Sequence, residues 1–320
     1  MDNSNDKLYI LLVSIHGLIR GQDLELGRDA DTGGQTKYVV ELLRELGKRP
    51  DVEQVTLLTR RIADPGVSND YNQPVETLSD KAQIIRIECG EEAYLPKEAL
   101  WDSLDNFADH ALEYINKNDR LPDIIHSHYA DAGYVGQRLS HQLNIPLIHT
   151  GHSLGRCKRK RLLASGLKRD DIEQRYNMSR RIDAEEEVLG AAAFIITSTR
   201  QEIIEQYGMY DYYLPAKMHV IPPGTDLEKF YPPQGGEFNT EIFQDIGRFL
   251  QTPTKPIILA LSRPDQRKNI NTLVEAYGES EELKKLANLV IIAGNRDEIR
   301  DMDNGTQDVL TEVFLSIDSY

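Results

Sequence analysis

A serine between glycines, a run of cations and a glycine pair ahead of a helix are the residues whose types and spacing could do chemistry. Gly151-His152-Ser153-Leu154-Gly155 fits G-x-S-x-G, the nucleophile elbow of serine hydrolases, where a sharp strand-to-helix turn presents the serine Oγ. The continuation argues against that reading. An elbow leads into a helix packed closely on the sheet through small residues, whereas Arg156, Cys157, Lys158, Arg159, Lys160 and Arg161 follow here. The triad also needs a later histidine, and His219, the one histidine after Ser153, stands in an apparent strand.

Five of the six residues from Arg156 to Arg161 are basic, and Arg180-Arg181 follow just before Asp183-Ala184-Glu185-Glu186-Glu187. Such runs are commonly a solvated helix face laced by i,i+4 ion pairs. The alternative is an anion site: Lys158 comes five residues after Ser153, at the carboxyl end of a strand, where open α/β sheets place their ligands. A phosphorylated small substrate would suit cations there.

Asp31-Thr32-Gly33-Gly34-Gln35 opens an amphipathic helix, an arrangement that can aim free backbone N–H groups and the positive end of the helix dipole at an anion. It is neither the dinucleotide G-x-G-x-x-G nor a Walker A loop, and by itself a glycine pair before a helix can be only a turn. His126 and His128 alternate on one strand face and could chelate a metal, but no third ligand is evident and packing roles compete. Asp31, Asp131 and Glu185–Glu187 form no recognisable acid/base pair, and Trp101 reads as packing.

These residues need elements to hold them. Apolar, β-branched runs at Leu8–Ile15, Val55–Thr59, Ile84–Ile87, Asp123–His128, Pro146–Thr150 and Ala193–Ser198 read as buried strands. Val39, Leu42, Leu43 and Leu46 fall at helical spacing, with Gly47 placed to end the helix. Strand and helix in alternation predict a parallel sheet with helices on both faces. After a strand around His219-Val220-Ile221, the stretch from Tyr231 to Pro256 reads as a connection, so a first domain over residues 1–230 and a second over 231–320 are expected. In the second, Ile257–Leu261 and Leu289–Ala293 read as strands and Asn271–Tyr277 as a helix, fewer elements than a doubly wound domain needs.

The chain's 320 residues suffice for two cores, and a net charge of -15 argues against nucleic-acid and membrane-surface partners. Cys89 and Cys157 stand far apart without C-x-x-C spacing, which suits structural thiols in a reducing cytoplasm. The apolar run at Leu8–Ile15 follows Asp2 and Asp6, is short, and lacks a small-residue cleavage site, so a signal peptide is not expected. No run approaches the ~20 apolar residues of a membrane span.

Taken as an ordered set, several motifs resemble the sucrose-phosphate synthases, retaining glycosyltransferases of the GT-B type. They are Ser14-Ile15-His16-Gly17, Asp31-Thr32-Gly33-Gly34-Gln35, Leu95-Pro96-Lys97-Glu98, His126-Ser127-His128-Tyr129-Ala130-Asp131, Thr150 to Arg156, Arg180 to Glu186, Ile221-Pro222-Pro223-Gly224 and Ser262 to Asn269. The similarity runs from the first strand to about Gly294. It implies an α/β fold of two Rossmann-like doubly wound domains, here with the second truncated, and transfer of glucose from UDP-glucose to fructose 6-phosphate.

By that resemblance Gly33, Gln35, Lys97, Tyr129, Ser153, Lys158 and Arg181 are expected at the fructose 6-phosphate site, the three cations serving the phosphate. Ser153 then becomes a binding hydroxyl. His152 is expected near the transferred glucose, Gly34 to offer its N–H to the donor diphosphate, and Arg263 and Lys268 to neutralise the departing UDP without a bound metal or cofactor. A sucrose-phosphate phosphatase, fused or separate, is the protein partner the family suggests.

Sucrose synthase shares the D-T-G-G-Q loop but uses unphosphorylated fructose, and its pattern lacks G-H-S-L-G-R and the lysine of L-P-K-E. Buried cations without an anion would be costly, which favours the phosphorylated acceptor. The family's E-x7-E segment for the donor does not appear before Tyr320, so little turnover is expected of these residues alone. A non-catalytic sugar-phosphate binding module stays open beside the enzyme.

Overall fold

The computed structural model describes residues 7–293, 298–302 and 304–320; Asp2, Asp6 and Gly294 lie outside the described residues. The chain forms two compact units, Met1–Gly224 and Thr225–Tyr320.

In the first unit, β1 (Leu8–Val13) leads through a long loop to α1 (Gly34–Lys48), followed by β2 (Val52–Arg60), β3 (Val75–Thr77), β4 (Ala82–Ile87) and α2 (Leu104–Asn116). Then come β5 (Ile124–His128), α3 (Ala130–Leu143), β6 (Leu147–Thr150), α4 (Gly155–Ala164), α5 (Arg169–Tyr176), α6 (Met178–Ala191), β7 (Phe194–Thr197) and β8 (Met218–Val220). The sheet order is β3-β4-β2-β1-β5-β6-β7-β8. Every pairing is parallel except β3 with β4.

Side-chain alternation divides each central strand between two cores. Ile10 and Leu12 of β1 join Val39, Val40 and Leu43 of α1 on one face, while Leu11 and Val13 join Phe107 of α2 and Val135 and Leu139 of α3 on the other. Both faces are covered, which explains why the strands read as continuous apolar runs rather than alternating ones. One expectation needs correction, and one strand was not expected. Gly47 does not end α1; it sits inside the last turn, where a Cβ would stand 3.0 Å from the Ala82 Cβ. β3 gives no sequence signal because three residues are too few for a pattern.

The second unit contains α7 (Glu241–Gly247), β9 (Ile257–Ser262), α8 (Ile270–Gly278), α9 (Glu281–Leu286), β10 (Asn288–Ala293) and α10 (Asn304–Asp318). β9 and β10 pair in parallel, and Ile270, Val274, Val309 and Val313 form a small core between α8 and α10. The stretch expected as a plain connection carries α7. Among the described residues no helix is long and apolar enough to cross a membrane.

Candidate functional site

The sheet order reverses at β1, which has β2 on one side and β5 on the other, so the loops leaving the carboxyl ends of β1 and β5 flank a switch point. Loops at this point bring the chemistry-bearing residues together. After β1 the chain turns at Gly17, where φ is +82° and a Cβ would stand 2.7 Å from the Asp31 carbonyl oxygen; only glycine satisfies both demands. Gly33 and Gly34 then begin α1 with no side-chain cap, and a Cβ at either would meet nothing within 4 Å. The first amides of α1 thus have no side-chain cap. Gln35 points its amide toward the Ser14 hydroxyl and the His128 carbonyl at 3.4 and 3.5 Å.

A pocket lies beside this loop, lined by Lys97, Glu98, Trp101, Tyr129, Asp131, Tyr176 and Arg181. Three cations converge on it, each with a carboxylate partner. Lys97 donates its backbone N–H to Asp31 Oδ2 at 2.8 Å and its ammonium to Asp31 Oδ1. Burial alone would lower the Lys97 ammonium, and Asp31 more than offsets it, raising Lys97 while Asp31 itself is held below the usual carboxylate range. Lys158 leaves the first turns of α4 to lie over the Tyr176 ring at 3.8 Å, with Glu98 Oε1 at 3.9 Å. Burial, then the Arg181 charge, pushes Lys158 down to about 8.

Arg181 is 4% exposed. It stacks over Tyr129 with 4.6 Å to the ring centroid, pairs through Nε with Glu185 at 2.9 Å, and donates to the Ser153 carbonyl at 2.6 Å and hydroxyl at 3.3 Å. Glu185, 2% exposed, also accepts from the Gly155 amide at 2.9 and 3.1 Å and from the Tyr210 hydroxyl. It fixes Arg181 and the start of α4 with one buried carboxylate, and every one of its partners is a donor.

Beneath these groups lies a histidine cluster. His128 Nδ1 and His152 Nε2 are 3.0 Å apart, the His126 and His128 rings are 4.1 Å apart, His126 Nε2 meets Thr150 Oγ1 at 2.9 Å, and His149 Nδ1 meets Ser127 Oγ at 2.9 Å. Burial, with the neighbouring imidazoles, lowers His126 and His149 to about 3 and His152 to about 4, and puts His128 well below its usual range; all four stay neutral. His128 Nε2 is buried without a hydrogen-bond partner among the described residues. A stranded N–H costs more than a stranded lone pair, so we place the shared proton on His128 Nδ1, which makes His152 Nε2 the acceptor and leaves its Nδ1–H to donate. His16 completes the floor, with Nδ1 2.7 Å from Asp131 Oδ2 and its ring edge-on to Tyr129 at 4.6 Å.

Six non-glycine residues among those described have positive φ; four are Asp or Asn, which tolerate it, and the other two are Tyr129 and His152. Tyr129 at the end of β5 has φ +78° and His152 after β6 has φ +57°. Each costs on the order of 1–3 kcal/mol, and both flank the pocket rather than distant turns.

Ser153 does not sit in a triad. Its Oγ faces the Arg181 guanidinium, while His219 lies on the edge strand β8 with its ring against Phe194 at 5.1 Å. In the second unit, Arg263 and Lys268 are both exposed on the segment that follows the carboxyl end of β9, with Arg267 between them paired to Asp265.

The pocket thus gathers Lys97, Tyr129 and Arg181, with Lys158 against its Tyr176 and Glu98, Ser153 on Arg181, and Gly33, Gly34 and Gln35 on the adjoining loop. His152 joins the histidine cluster. Glu98, Tyr176, Glu185 and the His16–Asp131 pair are site residues that the spacing did not single out, because nothing in one-dimensional order brings Glu98 to Lys158 or Glu185 to Tyr210. Each cation already faces a carboxylate, Lys97 with Asp31, Lys158 with Glu98 and Arg181 with Glu185, so none is a buried charge without an anion.

Comparison with known proteins shows the fold and the family. The family described as the sucrose synthase first GT-B domain matches residues 6–227. Sucrose-phosphate synthase 4 of Arabidopsis thaliana is 44% identical, over 100% of this chain and 36% of its own length, so the chain spans about a third of that relative. The solved sucrose-phosphate synthase of Thermosynechococcus elongatus superposes with a TM-score of 0.69 at 26% identity, over 97% of this chain and 68% of the other. The Anabaena HepE protein, crystallised with UDP, shares the fold at a TM-score of 0.55 and 12% identity, over 98% of this chain and 66% of its own. With a parallel sheet, a site at its switch point and a family match across the whole first unit, the chain belongs to the GT-B sucrose synthase family and is a homologue of the sucrose-phosphate synthases.

Proposed function

We propose that the first unit is the acceptor domain of a sucrose-phosphate synthase, a hexosyltransferase that moves glucose from UDP-glucose to fructose 6-phosphate with retained configuration. The observation that carries this reading is the gathering of three cations at one aromatic-walled pocket, Lys97 and Arg181 in its lining and Lys158 against its Tyr176 and Glu98, with the uncapped start of α1 on the adjoining loop. In an acidic molecule, three clustered cations at one switch point suit a phosphorylated ligand, whose phosphate can take the place of a carboxylate that faces them. Tyr129, Ser153, Gln35 and Gly33 would contact the sugar around that phosphate.

Gly34 would offer its amide to the donor diphosphate, and Arg263 and Lys268 would neutralise the charge that builds on departing UDP. No resident metal or cofactor is invoked. His152 would meet the transferred glucose with its free Nδ1–H, the proton pattern that His128 imposes. The relatives' name supports the phosphorylated acceptor over fructose itself. Phosphorus NMR tests this: the fructose 6-phosphate resonance should broaden or shift on adding the protein, and excess fructose should not reverse it. A resonance left unchanged at millimolar protein would count against the assignment.

A further inference from the structure

One carboxylate oxygen in the pocket behaves as a phosphate oxygen would. Glu98 Oε1 lies 3.3 Å from Lys97 Nζ and 3.9 Å from Lys158 Nζ, bridging two ammonium groups that come from separate parts of the chain. Lys97 has a second partner in Asp31, and Arg181 has Glu185, but the one carboxylate within 4 Å of Lys158 among the described residues is Glu98. Resting on the sugar-phosphate reading above, we propose that Glu98 holds the place a ligand phosphate takes between Lys97 and Lys158, so that its contact and anion binding exclude each other.

The local construction suits an exchange of that kind. The Glu98 backbone is pinned: its carbonyl accepts from Asn177 Nδ2 at 3.1 Å, and it lies within the 3-10 turn Lys97–Ala99. The side chain remains 23% exposed and can rotate toward water without disturbing the turn. A phosphate dianion and the Glu98 carboxylate cannot share the two ammonium groups, since like charges at hydrogen-bond range repel. Any entering anion must therefore first displace a carboxylate already well placed.

That requirement discriminates between ligands. A bare phosphate offers only its charge against Glu98 and gains little. A sugar phosphate adds hydroxyl contacts to the surrounding loops and offsets the displacement. Glu98 thus acts as a specificity residue that keeps a cationic pocket from filling with inorganic phosphate.

The test is calorimetric titration of the protein and of its Glu98→Gln variant with inorganic phosphate and, separately, with fructose 6-phosphate. Glutamine keeps the size and a hydrogen-bonding end but removes the charge, and a matched thermal unfolding curve checks the fold. Glu98→Gln should bind inorganic phosphate roughly 10-fold more tightly, with a smaller gain for the sugar phosphate. Glu98→Asp, which keeps the charge, should stay near the parent protein. Unchanged or absent phosphate binding in Glu98→Gln overturns the proposal, as does loss of both ligands, which would make Glu98 a ligand contact. If phosphate binding tightens while fructose 6-phosphate binds neither protein, Glu98 holds its place and the sugar-phosphate reading fails instead.

Discussion

Lys158 and Arg181 both face the pocket, yet their substitution should have opposite signatures. Lys158 is held by a ring face and one distant carboxylate, so Lys158→Ala should leave the unfolding midpoint nearly unchanged while weakening phosphorylated ligands by roughly 10- to 100-fold. Arg181→Ala strands the buried Glu185, so denaturant unfolding should report a loss of about 3–5 kcal/mol in addition to lost binding. Equal stability for the two variants would contradict the assigned geometry. The Lys158 ammonium, lowered to about 8, also sets a pH window. A bound phosphate favours the charged amine, so affinity is full below that value and declines as pH rises through it. On the acid side the phosphate loses its second charge below about 6. Titrations should therefore show tightest binding between these limits, and a profile flat to pH 9 would exclude Lys158 from the phosphate contact. Lys158 was legible in the basic run and Arg181 in the Arg180-Arg181 pair, whereas Lys97 was expected only from the family resemblance; the pairing of these cations with Asp31, Glu98 and Glu185 arises only through the fold.

At the scale of elements, β5 and β6 carry a stack of imidazoles where central strands ordinarily carry aliphatic side chains. His126, His128 and His149 are each under 7% exposed. Their folded values lie below that of the unfolded chain, near 6.5, so the unfolded state binds more protons at acid pH. Stability is full above about 6.5 and falls as pH drops below it, by up to about 1.4 kcal/mol per pH unit for each histidine. Thermal unfolding should show a steep fall in Tm between pH 6.5 and 5; a constant Tm there would contradict the buried neutral cluster. Strand existence was plain from the apolar runs because both sheet faces are covered. Sequence spacing put His126 and His128 on one face as candidate metal ligands, but the partner that defines their role, His152, lies on the loop after β6 and has no periodic relation to them.

For the molecule as a whole, the first unit has its own two-faced core, its complete sheet and the entire cation pocket. The segment ending at Gly224 should fold cooperatively alone and bind acceptor as the full chain does; a molten spectrum or lost binding would contradict that independence. The sequence places a boundary near residue 230 from the Pro- and Gly-bearing stretch, while the compact unit ends at Gly224, because Ile221-Pro222-Pro223-Gly224 already leaves the sheet. The second unit was legible as strand, helix and strand, and α7 and α10 were not, since short or less periodic helices give weaker patterns. The acidic net charge and the cationic pocket make one proposal central: the site should distinguish a phosphorylated sugar from the same sugar without its phosphate. Calorimetric titration with fructose 6-phosphate, fructose and UDP, repeated on Lys158→Ala, tests it most directly. The acceptor pocket should take fructose 6-phosphate and not fructose, and Lys158→Ala should strongly weaken the phosphorylated ligand; fructose binding the parent protein as tightly as its phosphate, or Lys158→Ala binding fructose 6-phosphate as the parent does, would contradict the assignment.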